Sequence, residues 1–292
     1  MSDITITLPD GSSRAVSAGA PVRDIAAAIS PRLLEAAVAA VVNDRLVDLS
    51  YPLDEDATVR IVTPKSPEAL PLLRHSTAHL LAAAVTNLFP GVQCGIGPAT
   101  DEGFFYDFVV PRPFVPEDIQ AIEAKMREMV QQDLPYERQH WARDDAKQFF
   151  DRRGEPLKVQ LIDEKTQGQS DVSCYTIKDR DTFVDFCVGP HVPSTGKLKA
   201  FTLLTTSNAY WKGDARNQPM QRIYGTAFLS EKELREHLHR LEEAKKRDHR
   251  KLGRDQKLFL HHAWAPGATF WLAKGTRLYH ALADYMRGVL FP

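Results

Sequence analysis

His75 and His79 stand four residues apart in a Leu- and Ala-rich stretch, and Cys187 and His191 stand four apart in Cys187-Val188-Gly189-Pro190-His191. Residues at i and i+4 of a helix project from one face, so the first pair can converge on a single atom. Taken alone, two histidines at that spacing are common packing or surface residues. The second pair changes the weighing, because it closes a predicted strand over residues 183–187 and adds a sulfur and a third imidazole. Three imidazoles and one thiol suit tetrahedral zinc, and they equally suit a polar pocket that holds a water. Both chemistries stay open at this point. His75-Ser76-Thr77-Ala78-His79 lacks the glutamate that a zinc protease uses as general base, which speaks against a zincin.

The elements that must position these side chains can be read from periodicity. Residues 72–87 form a predicted helix that ends before Pro90-Gly91, and Pro116-Glu117-Asp118 opens a second with Ile119, Ile122, Met126, Met129 and Val130 on one face. Strands are predicted at 104–109, 158–162, 173–178, 183–187 and 221–228, which makes this region an α+β domain. Ahead of it, Ile4, Ile6 and Leu8 alternate with polar residues, Asp10-Gly11 supplies a turn, and residues 14–16 can pair back as a hairpin. A helix over 22–28 and strands at 36–42, 45–49 and 58–62 complete a β-grasp pattern, and Pro64, Pro67 and Pro71 mark a linker. Ser230 with Glu233 has the form of a capping box opening a long helix whose later part, 240–257, carries eight Lys or Arg among interleaved acids. Residues 270–291 repeat apolar side chains at helical spacing, with nothing after Pro292 in this sequence to cover them.

A chain of 292 residues is expected to hold more than one domain. With 43% hydrophobic and 26% charged residues it has the composition of a soluble globular protein, and no segment reaches the ~20 apolar residues of a membrane span. The start lacks the basic and apolar blocks of a secretory signal, so a cytoplasmic location is expected. The odd count of three cysteines, Cys94, Cys174 and Cys187, speaks against a disulfide framework and leaves thiols for packing, metal binding or chemistry. A net charge of −1 leaves room for a local basic patch but not for a uniformly basic nucleic-acid binder.

Several segments together resemble bacterial threonyl-tRNA synthetases: His75-Ser76-Thr77-Ala78-His79, Gly103-Phe104-Phe105-Tyr106-Asp107, Asp185-Phe186-Cys187-Val188-Gly189-Pro190-His191-Val192-Pro193, Tyr210-Trp211-Lys212-Gly213-Asp214 and Gln221-Arg222-Ile223-Tyr224-Gly225-Thr226-Ala227. The resemblance implies a multi-domain α+β protein. Residues 1–64 would be a ubiquitin-like β-grasp (TGS) domain and 65–228 an editing domain of the threonyl/alanyl-tRNA synthetase second additional type. Residues 229–255 would be a linker helix, and 256–292 the start of a class II catalytic domain, truncated before its ATP-binding motifs.

What that implies chemically follows from substrate size. A missing methyl is worth only ~1–3 kcal/mol of discrimination, so a site that loads threonine also loads some serine, and a second sieve must hydrolyse Ser-tRNA(Thr). Carried over by the resemblance, His75 and Lys158 would orient or activate water and substrate hydroxyls, and Asp185 would read the amino group. His79, Cys187, His191 and Tyr106 would shape the pocket, with Lys158 on a predicted strand. Trp211, Lys212 and Arg216, with the basic run 240–257, are candidate tRNA contacts. No metal is expected at the editing site; if zinc were held there, its ligands would be His75, His79, Cys187 and His191. The complete enzyme would use threonine, ATP, Mg2+ and one Zn2+ whose ligands lie beyond Pro292, and would be a homodimer. Alternatives are a freestanding editing hydrolase acting in trans and an RNA-binding module without catalysis.

Overall fold

The computed structural model describes residues 3–291. These fall into two compact units, with the division between Leu234 and Arg235.

The first unit opens with the expected hairpin, β1 (Asp3–Thr7) antiparallel to β2 (Ser13–Ser17). Ile4 and Ile6 point into the core while Thr5 faces out, the period-two pattern of a half-buried strand. Short β3 (Ala20–Pro21) leads to α1 (Val22–Ile29), which buries Val22, Ile25 and Ala26. A second short helix, α2 (Pro31–Ala36), was not expected, and the strand predicted from residue 36 begins only at β4 (Ala39–Val42). Local chemistry explains the difference: the Ser30 hydroxyl caps the Leu33 N–H at 3.1 Å, and Pro31 occupies the first helical position. Asn43 and Asp44, both at positive φ, turn β4 back into β5 (Arg45–Val47). Next come β6 (Pro52–Leu53), paired with β3, and β7 (Ala57–Val62), which runs parallel to β1. The sheet order β2-β1-β7-β4-β5, with a central parallel pair and a crossing helix, is a β-grasp.

The α+β domain is built around α3 (Ala69–Leu88), whose Leu- and Ala-rich sequence has no broad polar face because almost every side is buried. It packs on β9 (Phe104–Val109), which pairs with short β8 (Gln93–Cys94), and on α4 (Pro116–Gln131). Helix α4 begins where Asp118 accepts the Val115 N–H at 2.9 Å and clasps Arg112, and it buries Ile122, Met126 and Met129 as the periodicity required. Besides short β8, neither β10 (Tyr136–Ala142), α5 (Arg143–Arg152) nor the 11-residue strand β13 (Ala200–Tyr210) was anticipated. Thr, Ser and Asn fill the distal half of β13, and a bulge between Leu203 and Thr205 breaks its alternation, so its period is hidden.

Residues 158–162, predicted as a strand, lie instead in helix α6 (Pro156–Lys165). Leu157, Lys158, Leu161 and Ile162 are its buried residues, a set that a short window reads as alternation but that also fits one helical face with Pro156 at the start. Strands β11 (Asp171–Ile177) and β12 (Asp179–Phe186) complete a sheet of order β10-β11-β12. The other sheet runs β13-β14-β9-β8, with β14 at Pro219–Phe228. The capping box at α7 (Glu231–Lys246) is formed, with the Ser230 N–H donating to Glu233 at 3.2 Å and the Glu233 N–H to the Ser230 hydroxyl at 3.3 Å.

In the second unit the basic run is not one continuous helix. It breaks after Lys246, and Asp248 caps the next helix, α8 (His249–Asp255), by accepting the Arg250 N–H at 2.8 Å. Strands β15 (Phe259–Leu260) and β16 (Phe270–Trp271) form a ribbon ahead of α9 (Ala273–Leu290), on which Leu278, Leu282, Met286 and Leu290 are exposed. Among the described residues, no helix is long and apolar enough to cross a membrane.

Ile122 is fully buried on α4 and lines neither cavity beside the histidines. Ile122→Ala is therefore expected to cost ~2–5 kcal/mol of stability and Ile122→Val ~0.5–1.5 kcal/mol. Denaturant unfolding that finds the two variants equal would contradict the packing described.

Candidate active site

Helix α3 presents His75 and His79 on one face, one turn apart, as the spacing required. Opposite them the chain leaves β12 at Phe186, delivers Cys187, crosses Gly189 and brings in His191. The His75 Nε2 lies 3.2 Å from the Cys187 Sγ. The His191 ring stacks on His75, with centroids 4.6 Å apart and planes 16° from parallel, and meets His79 edge-on at 4.5 Å. A Cβ on Gly189 would come within 3.3 Å of His75 Nε2, so the missing side chain lets the loop pass close to the ring.

His75, His79 and Cys187 line a cavity of about 510 Å³ together with Tyr106, Lys158 and Asp185. His191 does not reach that cavity. It stands behind His75, 2% exposed, and borders a second cavity on the side of the β-grasp sheet. The four side chains gather as expected, with three of them bordering this cavity and His191 packed behind the other two imidazoles.

Lys158, Asp185 and Tyr106 form a buried polar knot. The Lys158 ammonium donates to the Gly95 carbonyl at 2.8 Å and to the Tyr106 hydroxyl at 3.1 Å, and ion-pairs with Asp185. An ammonium has three N–H groups, and all three are occupied. The expectation that Lys158 handles water or substrate hydroxyls therefore meets a lysine with no donor left over. Asp185 accepts the Tyr106 O–H at 2.6 Å and lies 3.3 Å from His79 Nδ1, at 1% exposure, so it too is committed within the protein. Burial pulls the Lys158 pKa down, but Asp185 outweighs it and leaves the ammonium raised. Burial, then Asp185, lifts Tyr106 well above the usual phenol value, so it stays a donor. The backbone accommodates the knot through Gly97, where a Cβ would fall 2.1 Å from the Tyr106 ring.

The imidazoles are neutral at physiological pH. Burial lowers His75, opposed by Asp185 and by a hydrogen bond with the Gly97 backbone. Burial and then the neighbouring His75 and Lys158 hold His79 well below 6.5, and burial with His79, His75 and Arg138 does the same to His191. Cys187 is pushed up to about 12 by burial and Asp185, so its thiol keeps its proton and is not poised as a nucleophile.

One ligand atom from each of His75, His79, Cys187 and His191 lies within 4.8 Å of the others. Asp185 beside His79 and Ser76, whose hydroxyl is 3.1 Å from His191 Nδ1, stand where the outer partners of zinc-bound histidines stand. The four could hold zinc, which would displace the thiol proton on binding; without a metal the neutral imidazoles can still act on water.

Of the candidate tRNA contacts, Trp211 is not at the surface. It is 4% exposed, packs in the core under α5 and α6, and donates its indole N–H to Gln160 at 2.9 Å, because the apolar ring is more stable there than in water. Lys212 pairs with Glu164 and Arg216 with Asp214, both on the exposed surface. Site residues that the spacing did not reveal are Ser76, Tyr136, Gly95 and Gly97. Ser76 sits inside the histidine motif itself, and Gly95 and Gly97 flank the turn after β8; Tyr136 gave no signal.

Two domain models match this chain: the TGS domain over residues 4–63, and the threonyl and alanyl tRNA synthetase second additional domain over residues 172–224. Asp185, Cys187 and His191 thus lie in a domain of the aminoacyl-tRNA synthetase class, and His75 and His79 stand between the two matched segments. The chain is 48% identical over 290 residues to the threonine–tRNA ligase of Myxococcus xanthus, covering 98% of this chain and 45% of that protein. It is 50% identical over 285 residues to that of Maricaulis maris and 51% over 284 to that of Teredinibacter turnerae, in each case 97% of this chain and 44% of the relative. The chain belongs to the threonyl-tRNA synthetase family, and it spans less than half the length of these relatives.

Two outcomes follow from the site. An unfolded chain protonates its histidines near 6.5 whereas the folded one holds His79 and His191 neutral well below that, so the stability they contribute is complete above the unfolded value and is lost progressively as pH falls below it. The denaturation midpoint should drop between about pH 7 and 5.5, with a shallower slope in His79→Gln; identical slopes would remove His79 from the account. Metal analysis of the purified chain should find well under one zinc per molecule, and a full equivalent that disappears in Cys187→Ala would reverse the reading of the thiol.

Proposed function

We propose that this chain carries a proofreading site that hydrolyses Ser-tRNA(Thr), with His75 as the residue that acts on water. The observation that carries the reading is the convergence of His75 and His79 with Cys187, a residue of the matched synthetase second additional domain, on one cavity. Of the three imidazoles only His75 is more than marginally exposed, and it borders the cavity with its Nε2 against the Cys187 thiol. A neutral imidazole there accepts a proton from water as the water oxygen attacks the ester carbonyl carbon. The bond from that carbon to the ribose oxygen breaks, the proton passes to the ribose oxygen, and serine and tRNA leave. Asp185, braced by Lys158 and Tyr106, orients His79 and closes the floor of the pocket. Discrimination against threonine rests on the space left for one methyl against these rigid walls, worth ~1–3 kcal/mol.

The proposal extends by kinship to the whole protein: attachment of threonine to tRNA(Thr) with ATP and Mg2+, zinc at the synthetic site, in the cytoplasm and as a homodimer. The names of the relatives support the ligase reading. Lys212 and Arg216 remain proposed tRNA contacts through phosphate.

Deacylation of Ser-tRNA(Thr) and Thr-tRNA(Thr) by the chain tests the proposal. Serine release should be the faster, and His75→Ala should lower its rate by ~100-fold or more. The wild-type rate should fall on acidification with an apparent pKa below 6.5, as burial lowers His75. Equal hydrolysis of both esters, or an active His75→Ala chain, would refute it.

A further inference from the structure

His191 is held from outside its own domain. Its backbone N–H donates at 2.9 Å to Oδ1 of Asp48, 143 residues earlier in the chain. Asp48 follows β5 of the β-grasp sheet and is 7% exposed. Its other oxygen accepts the Tyr175 O–H from β11 at 2.7 Å and lies 3.6 Å from the Arg138 guanidinium on β10. One carboxylate thus ties three segments of the α+β domain to the β-grasp unit.

What it holds is the residue behind the working histidine. The His191 ring lies between the ring of Tyr136, stacked at 5.1 Å, and that of His75, stacked at 4.6 Å, with Tyr175 edge-on at 4.5 Å. Ser76 accepts the Val192 N–H at 3.1 Å and its own hydroxyl lies 3.1 Å from His191 Nδ1. These contacts set the ring's rotation, but the height of the loop that carries it is set by the backbone bond to Asp48. A loop displaced by an ångström would release the stack on His75 and move the Cys187 thiol that borders its Nε2. Misplacements of that size are costly where a reacting atom must be held in line.

We propose that Asp48 is a positioning residue for the hydrolytic site, through which the β-grasp unit sets the place of His191 and hence of His75. The inference rests on the proofreading reading for its rate effects and on geometry alone for its structural effects. It gives the β-grasp unit a part in hydrolysis that does not require it to touch RNA.

The test uses the full chain with Ser-tRNA(Thr) as probe. Asp48→Ala removes both accepted bonds and should lower the deacylation kcat by ~10- to 100-fold, the size expected for a buried bond to a charged acceptor, with KM changed less than about twofold. Asp48→Asn keeps an acceptor for the His191 N–H and should recover most of that loss. Tyr175→Phe removes one anchor of the carboxylate and should fall between Asp48→Ala and wild type. Lys197→Met removes a different link between the same two domains, the ammonium contact with the Glu35 carbonyl, and should leave both constants unchanged. Amide hydrogen exchange at His191, protected in wild type and released in Asp48→Ala, is read independently of activity. Full kcat in a folded Asp48→Ala chain overturns the proposal, and so does unaltered His191 protection. Equal losses in Lys197→Met and Asp48→Ala also overturn it, since they would mean that domain contact in general is what matters. If the wild type leaves Ser-tRNA(Thr) intact while Asp48→Ala still releases the His191 amide, the proofreading reading fails and the positioning role stands.

Discussion

The arrangement depends on a charge that cannot be left alone. Lys158 is 2% exposed, and an unpaired ammonium at that depth would cost several kcal/mol. Asp185, Tyr106 and the Gly95 carbonyl supply the compensation, and each comes from a different element: the end of β12, the middle of β9 and the turn after β8. Removing Asp185 would strand a buried charge, typically at ~3–5 kcal/mol, and the two neutral acceptors complete the ammonium's bonds, so the three elements are held in register with α6. The cavity keeps its shape because the knot beneath it has one satisfied geometry.

That geometry decides which groups are free to react. Lys158 and Asp185 carry formal charge, and from sequence they are the natural candidates for catalysis, yet they neutralise each other and have no unused donor. The groups left over are neutral. Burial keeps the three imidazoles unprotonated and the thiol protonated, which removes a thiolate attack and leaves a base acting on water. The same rigidity suits a sieve that separates substrates by one methyl, because a wall that yielded by that much would accept both.

The legible part of this protein was what periodicity and short spacing encode. The i, i+4 pair His75 and His79, the Cys187 to His191 loop, the α4 stripe and the β-grasp hairpin each depend on residues close in sequence. Lys158, a site candidate through the resemblance, was placed on the wrong element, since the five residues 158–162 fit a strand window and a helical face alike, and only Pro156 marked the helix start. Trp211 was read as a tRNA contact because Lys212 and Arg216 beside it can neutralise phosphate; burial of its ring follows from a core cluster it shares with Phe150 and Ile162, distant in sequence. Strand β13 was missed because its polar distal half and its bulge erase the alternation by which strands are found.

What no local pattern could disclose is the support behind the site. Asp48 lies in a turn of a small sheet and has the local signature of any solvated turn acid. Its environment is created by Tyr175, Arg138 and the His191 backbone, 90 or more residues away in every case. A carboxylate buried by tertiary contact leaves no trace in hydropathy, because the same residue exposed would give the same sequence. The histidines are different, since two share a helix turn and the third sits four residues from the cysteine. Motifs thus record the side chains that cluster at the cavity and directly behind it, whereas the groups that hold them in place are dispersed along the chain and become visible only when the fold brings them together.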